Sequence, residues 1–165
     1  MKKKKDRALR FFCIAVTVIL AAAIILRFFL HSIIVVGASM YPTYNEGDIL
    51  TRNVNFVEED INYNEVITID EGDKWIIKRV YGLPRDTVLI KDKKLYINGK
   101  IVDTDEIDYA GVAQEELTLD ENQYFVMGDN IKVSSDSRSI GPISFDQITG
   151  IVTGRVIKNI FYKGK

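Results

Sequence analysis

The chain has 165 residues, with 22 Lys and Arg against 23 Asp and Glu, one histidine and one cysteine. That length holds one domain with a real core and excludes two large ones. A formal net charge of -1 gives no global basic field for nucleic acid, and a lone Cys13 excludes an intrachain disulfide. With His31 the only histidine, a Cys/His zinc cluster and a Ser-His-Asp triad in the polar part are also excluded.

The first ten residues carry Lys2, Lys3, Lys4, Lys5, Arg7 and Arg10 against Asp6, and residues 11–26 are then uncharged and almost wholly apolar. A spanning helix needs about 17–25 residues, so the uncharged run alone is slightly short. Arg27 near its outer end can snorkel to the interface and lengthen the usable span. The sequence therefore predicts a basic cytoplasmic tail over 1–10, a transmembrane anchor over 11–31 and an extracytoplasmic domain over 32–165. A cleavable leader is the competing reading, with Ala21-Ala22-Ala23 as the cut site, but apolar residues continue well past it. Cys13 reads as a packing or lipid-facing residue.

From Ser32 the texture changes. Residues 33–36, 48–54, 65–70, 75–81, 87–91, 95–98, 100–102, 124–127 and 148–161 are rich in Ile, Val, Tyr and Phe. Turn signals separate them, among them Asn45-Glu46-Gly47-Asp48, Asp70-Glu71-Gly72-Asp73 and Gly82-Leu83-Pro84. Asn98-Gly99 between two apolar runs predicts a two-residue hairpin with a type I′ turn. No helical periodicity of useful length occurs outside the anchor. The fold class is mainly β, a turn-rich antiparallel domain behind one N-terminal helix. Residues 103–121 hold eight acids and no Lys or Arg, at a spacing that fits no calcium loop, so a solvated connection is expected.

Three stretches carry candidate chemistry. In the first, Gly37-Ala38-Ser39-Met40-Tyr41-Pro42-Thr43, two small residues precede a serine and leave room for a second backbone. The proline biases Tyr41 toward an extended conformation. In the second, Trp75-Ile76-Ile77-Lys78-Arg79-Val80-Tyr81, strand alternation puts Lys78 on one face with Ile76 and Val80, and Arg79 on the other. Burial there would lower the lysine pKa, the property a lysine base must have. The third, residues 127–138, is a loop dense in hydrogen-bonding groups. Taken singly, each has a plainer reading: a turn serine, a snorkelling lysine, a structural loop.

In this order, behind such an anchor, the three stretches resemble the bacterial type I signal peptidases. The blocks are Gly37 to Thr43 with Gly47-Asp48, then Lys78-Arg79-Val80-Tyr81-Gly82, then Gly128-Asp129-Asn130 with Ser134-Ser135-Asp136-Ser137-Arg138. Residues 150–156 also resemble the family's closing strand. The resemblance implies that Ser39 is the nucleophile and Lys78 the general base, with Ser134 orienting the lysine amine. It gives Asp129, Arg79, Asp136 and Arg138 framework roles through ion pairs, and makes Met40 and Gly37 part of the substrate cleft. It implies a catalytic domain of coiled antiparallel sheets with a smaller inserted region within 84–123, and neither metal nor organic cofactor. The expected partners are exported preproteins with small residues before the cut, the bilayer, and the translocation machinery.

Three departures stand out. Gly37 replaces a serine that Gram-negative members use as an oxyanion donor, a Gram-positive trait that leaves the second donor unassigned. Ile131 replaces an arginine, and Tyr44 a leucine. Other classes compete: a self-cleaving repressor-type peptidase would need a DNA-binding region and no anchor. A non-catalytic tethered β-domain assisting pilus or surface-protein assembly would not need both Ser39 and Lys78.

Overall fold

The computed structural model describes residues 2–161 of the chain. The first element, α1 (Lys2–His31), is continuous through both the basic stretch and the apolar run. Its apolar window, Arg10–Arg27, has the length and composition to cross a membrane, and none of it is buried against the described residues. Eighteen residues at 1.5 Å each span about 27 Å, close to a hydrocarbon core.

The rest is antiparallel sheet. One sheet has seven strands: β1 (Ser32–Ile34), β2 (Ile49–Asn53), β3 (Val66–Asp70), β4 (Trp75–Gly82), β9 (Gln123–Met127), β10 (Ile143–Ser144) and β11 (Ile148–Ile157). Their spatial order is β1-β2-β11-β3-β4-β9-β10. A second sheet holds β5 (Thr87–Lys91), β6 (Lys94–Ile97), β7 (Lys100–Val102) and β8 (Leu117–Thr118) in the order β7-β6-β5-β8. Its strands all fall within residues 84–123. A single helical turn, α2 (Ser137–Ile140), follows the polar loop after β9.

Alternation along β9 lets that one strand contribute side chains to both hydrophobic cores. Tyr124 and Val126 pack with Ile67, Ile69, Val80 and Ile148 of the large sheet. Phe125 and Met127 face the other way and join Val88, Leu95 and Leu119 of the small one. Ile131, which stands where the family usually has arginine, is buried in that second core, so its apolar side chain has a packing reason. Gly82 is a point of close approach, where an added Cβ would press on Leu119, Phe125 and Val88.

The mainly β architecture agrees with the sequence reading, and most strand limits fall within a residue or two of it. The exceptions are informative. The apolar run 33–36 leaves the sheet after Ile34, because Val35 instead bonds the loop at Asp48 and Gly47. The last strand ends at Ile157 rather than 161. The Asn98-Gly99 turn has the two positive φ angles expected of type I′, 51° and 74°, between the paired residues Ile97 and Lys100. Asp92-Lys93 makes a second such turn without a glycine.

Candidate active site

Ser39 sits in the turn that follows β1. Gly37 has φ +84°, a left-handed value that suits glycine, and it turns the chain just before Ser39. Tyr41 N donates to Ala38 O and Tyr44 N to Met40 O, and the Tyr41–Pro42 peptide is cis. Two further bonds hold this turn from across the domain. Asn130 N donates to Ser39 O at 2.9 Å, and Asn130 Nδ2 to Ala38 O at 3.2 Å.

Lys78 comes from the middle of β4, with Ile76 and Val80 on its own face as strand alternation requires. It is 3% exposed, and its Nζ donates to Ser39 Oγ at 3.1 Å. Burial pushes its pKa down, while Asp136 and Glu71 push weakly the other way. The net effect favours the neutral amine relative to an ordinary lysine.

The polar loop after β9 closes the site from beneath. Gly128 lies against both chemical partners, since a Cβ there would collide with Ser134 Oγ and Ser39 O. Its N–H donates to Asp136 Oδ2 at 3.0 Å. Asp136 is fully buried and grips Arg138, itself 3% exposed, by two bonds of 2.8 Å. Burial alone would raise the Asp136 pKa, but Arg138, Gly128 and the nearby Ser134 hydroxyl together bring it below the ordinary value. Arg138 also donates to Ile131 O and Ser134 O, which fixes the loop's path.

Arg79, on the opposite face of β4, makes a bidentate pair with Asp129 at 2.8 and 2.6 Å. Asp129 and Asn130 are neighbours, so one pair ties β4 to the loop that holds Ser39. The Ser134 Oγ is buried beside Gly128 and near Asp136, whose pKa it helps to lower, and the Lys78 amine donates to Ser39.

A cleft of about 840 Å³ opens beside Ser39 and Lys78. One wall is residues 32–40, including Gly37 and the almost fully buried Met40. The other is Thr68 with residues 74–78, and Val133 and Ser135 complete it. Strand β9 pairs with β4 only from Arg79 onward. Residues 75–78 thus have β3 on one side and, among the described residues, no strand on the other. No group of His, Cys, Asp and Glu side chains able to hold a metal ion occurs among the described residues.

Asn130 and Gly128 were visible in the sequence only as parts of the Gly-Asp-Asn block, and only the fold shows their contact with Ser39. The Asp48–Arg155 pair was not visible at all. Asp48 is fully buried, accepts from Arg155 at 2.9 Å, and takes the Asn45 and Asn159 N–H groups as well. It ties the turn after Ser39 to β11.

Residues 8–157 match the family described as signal peptidase, peptidase S26. Signal peptidase I T of Bacillus subtilis (strain 168) is 36% identical over 164 residues, covering 90% of this chain and 85% of that protein. Signal peptidase IB of Staphylococcus aureus (strain COL) is 31% identical over 163 residues, covering 82% and 85%. A crystal structure of a signal peptidase I from Enterococcus faecalis V583 overlays with a TM-score of 0.47 and 27% identity, covering 56% of this chain and 97% of that one. The chain belongs to the S26 family of signal peptidases, serine peptidases that remove signal peptides.

Proposed function

We propose that this chain cleaves signal peptides from exported preproteins with Ser39 as nucleophile and Lys78 as general base. The observation that carries the reading is the 3.1 Å contact between a buried, pKa-lowered amine and the Ser39 hydroxyl. Neutral Lys78 takes the Ser39 proton as Oγ attacks the scissile carbonyl, and the resulting ammonium returns a proton to the leaving amine. An acyl-enzyme remains on Ser39. Water, activated by the same amine, hydrolyses it. The Ser39 N–H supplies one oxyanion donor. Asp136, Arg138, Arg79, Asp129 and Ser134 position the loop that shapes the site and move no proton. No metal or organic cofactor takes part.

The substrate binds as an added strand along the open edge of β4, with alternate side chains directed into the cleft. Small residues are required at the first and third positions before the cut. Changing the first to leucine is expected to lower kcat/KM by about ten- to a hundredfold, since an overfilled pocket costs about 1–3 kcal/mol. Replacing the residue between them is expected to do little, and equal sensitivity at all three positions would contradict strand-like binding.

The N-terminus lies inside, α1 spans the bilayer, and the β domain lies outside. Ile34, Val36, Trp75 and Val133 are exposed apolar side chains on or beside the cleft walls, as a site working at a lipid surface requires. Anchoring enzyme and substrate in one bilayer raises their effective concentration.

Cleavage of a model preprotein by the full chain, with the cut site read by mass spectrometry, tests the assignment. Ser39→Ala and Lys78→Arg are each expected to lower the rate about 10⁴-fold or more. Guanidinium stays protonated at any usable pH, so the second variant has no base. An undiminished rate in Ser39→Ala would place the nucleophile elsewhere.

A further inference from the structure

One buried cation has no part in this chemistry. Arg52 of β2 is 7% exposed, and no carboxylate pairs with it among the described residues. Its Nη1 donates to Thr68 Oγ1 at 3.1 Å, Thr149 O at 3.1 Å and Thr149 Oγ1 at 2.8 Å. Its Nε is buried and has no hydrogen-bond partner among the described residues. An arginine without an acid is an expensive way to fill space that leucine or methionine would fill better. What the charge does gain is an indole. The guanidinium carbon lies 4.3 Å over the Trp75 ring, within the range of a cation–π contact.

Trp75 is 55% exposed and, with Thr68, lines the same cleft as Ser39 and Lys78. The register of β3 and β4 pairs Thr68 with Ile77 and Asp70 with Trp75. Thr68, Ile77 and Trp75 therefore share one face, and Arg52 lies on it through its bond to Thr68. An exposed tryptophan left alone would sample several rotamers. Stacked on a cation that three acceptors hold in place, it becomes a fixed wall.

The part of the substrate that meets this wall follows from the cleft's direction. The piece before the cut remains in the bilayer, and the cleft runs from Ser39 back to Ser32, where α1 ends. Residues before the cut must therefore run from Lys78 toward Trp75. Three strand steps of about 3.3 Å separate those two positions, which brings the fourth residue before the cut, and those just upstream, beside the indole.

We propose that Trp75 is a specificity-determining wall for apolar side chains four or more positions before the cut, and that Arg52 is the positioning residue that holds it. The proposal rests on the strand-like binding argued above. It extends recognition beyond the two small residues to the segment that joins them to the membrane-embedded part of the substrate.

Three peptides test it with the full chain in detergent micelles. One begins at the third residue before the cut, one adds three leucines upstream, and one adds three serines. The leucine peptide is expected to exceed the others in kcat/KM by about tenfold, the scale of a single aromatic contact, with the difference carried by KM. Trp75→Ala should erase the ratio of the leucine peptide to the other two, while Trp75→Phe, which keeps the aromatic plane, should retain most of it. Arg52→Met should reduce the advantage and lower the fluorescence anisotropy of Trp75, the only tryptophan in the chain. Arg52→Lys should restore part of both.

Binding is read separately, by titrating each peptide into the Ser39→Ala chain and following Trp75 emission. A response to the leucine peptide alone supports the wall even if the wild-type chain cuts none of the three, a result that would overturn the peptidase assignment only. Equal loss on all three peptides in Trp75→Ala, or an anisotropy unmoved by Arg52→Met, would overturn the proposal while leaving the assignment intact.

Discussion

The two sheets are built from similar strands but treat charge in opposite ways. In the four-stranded sheet the interior is apolar, and its ion pairs stand in water: Arg85 with Glu121, and Lys93 with Glu106 and Asp108. Its one buried carboxylate, Asp86, is satisfied by the neutral donors Tyr63 Oη, Leu83 N and Asn98 Nδ2. The seven-stranded sheet and the loop after β9 bury Asp48, Arg52, Lys78, Asp136 and Arg138. A buried charge costs several kcal/mol unless it is paired and hydrogen-bonded. The small sheet thus behaves as a scaffold, and the large one gives up stability to hold its site. Variants that remove one charge from each region can break that contrast.

The largest expected effect is at Asp136. Asp136→Asn keeps the shape but leaves Arg138 buried without its carboxylate and weakens the bond from Gly128 N. Removing one partner of a buried pair costs about 3–5 kcal/mol, and thermal unfolding of the full chain should register it. Activity is expected to fall with it, because the loop that the pair braces also holds Ser39 through Asn130. A loss no larger than that of an exposed pair would mean the interior here is wetter than the packing indicates.

Lys78 should show the opposite sign. The folded chain holds the Lys78 proton less tightly than the unfolded chain does, so protons are taken up on unfolding and stability rises with pH. The penalty is complete below the folded pKa and disappears as pH climbs from there to the ordinary lysine value near 10.4. Lys78→Met removes it. The variant is expected to be inactive and more stable at neutral pH by about 1–2 kcal/mol, with the advantage narrowing toward pH 10. The same ionisation should appear in the wild-type enzyme as a rise in kcat/KM on the alkaline side of neutrality, unmoved by His31→Ala. A kcat/KM flat from about pH 5 to 9 would remove Lys78 from the base role.

The contrast between the sheets was only partly legible in the sequence. The strands were, because β-branched runs between turn signals state them locally. The face of Lys78 was also legible, since alternation with Ile76 and Val80 suffices. The two-residue strands β8 and β10 were not, because pairs that short carry no periodicity and exist only through their partners. The burial of Arg52 was hidden as well. It shares a face with Leu50, yet the residues 49–53 give no sign that this face closes over the guanidinium, which happens only when Thr149 and Trp75 arrive from distant strands. Ser39 alone reads as a turn serine, and only its block taken with the other two picked it out. The bonds from Asn130 that hold it, and the Asp48–Arg155 link, depend on contacts about a hundred residues apart.

The smallest expected effect lies in the scaffold and completes the comparison. Lys93 bridges Glu106 and Asp108 at 3.2 and 2.8 Å and, with Arg85 at Glu121, is one of the cations that meet the acidic segment 103–121. Both acids raise its pKa, yet all three groups stand in solvent. Water and salt screen such pairs, and holding a long side chain in one geometry costs entropy that offsets the Coulomb gain. Lys93→Gln is therefore expected to shift the unfolding midpoint by less than about 1 °C and to leave kcat/KM unchanged. The positive φ at this position is common to both side chains and cancels. If Lys93→Gln instead lowers the midpoint by as much as Asp136→Asn does, the acidic segment depends on that cation for its fold, and the division of charge between scaffold and site fails.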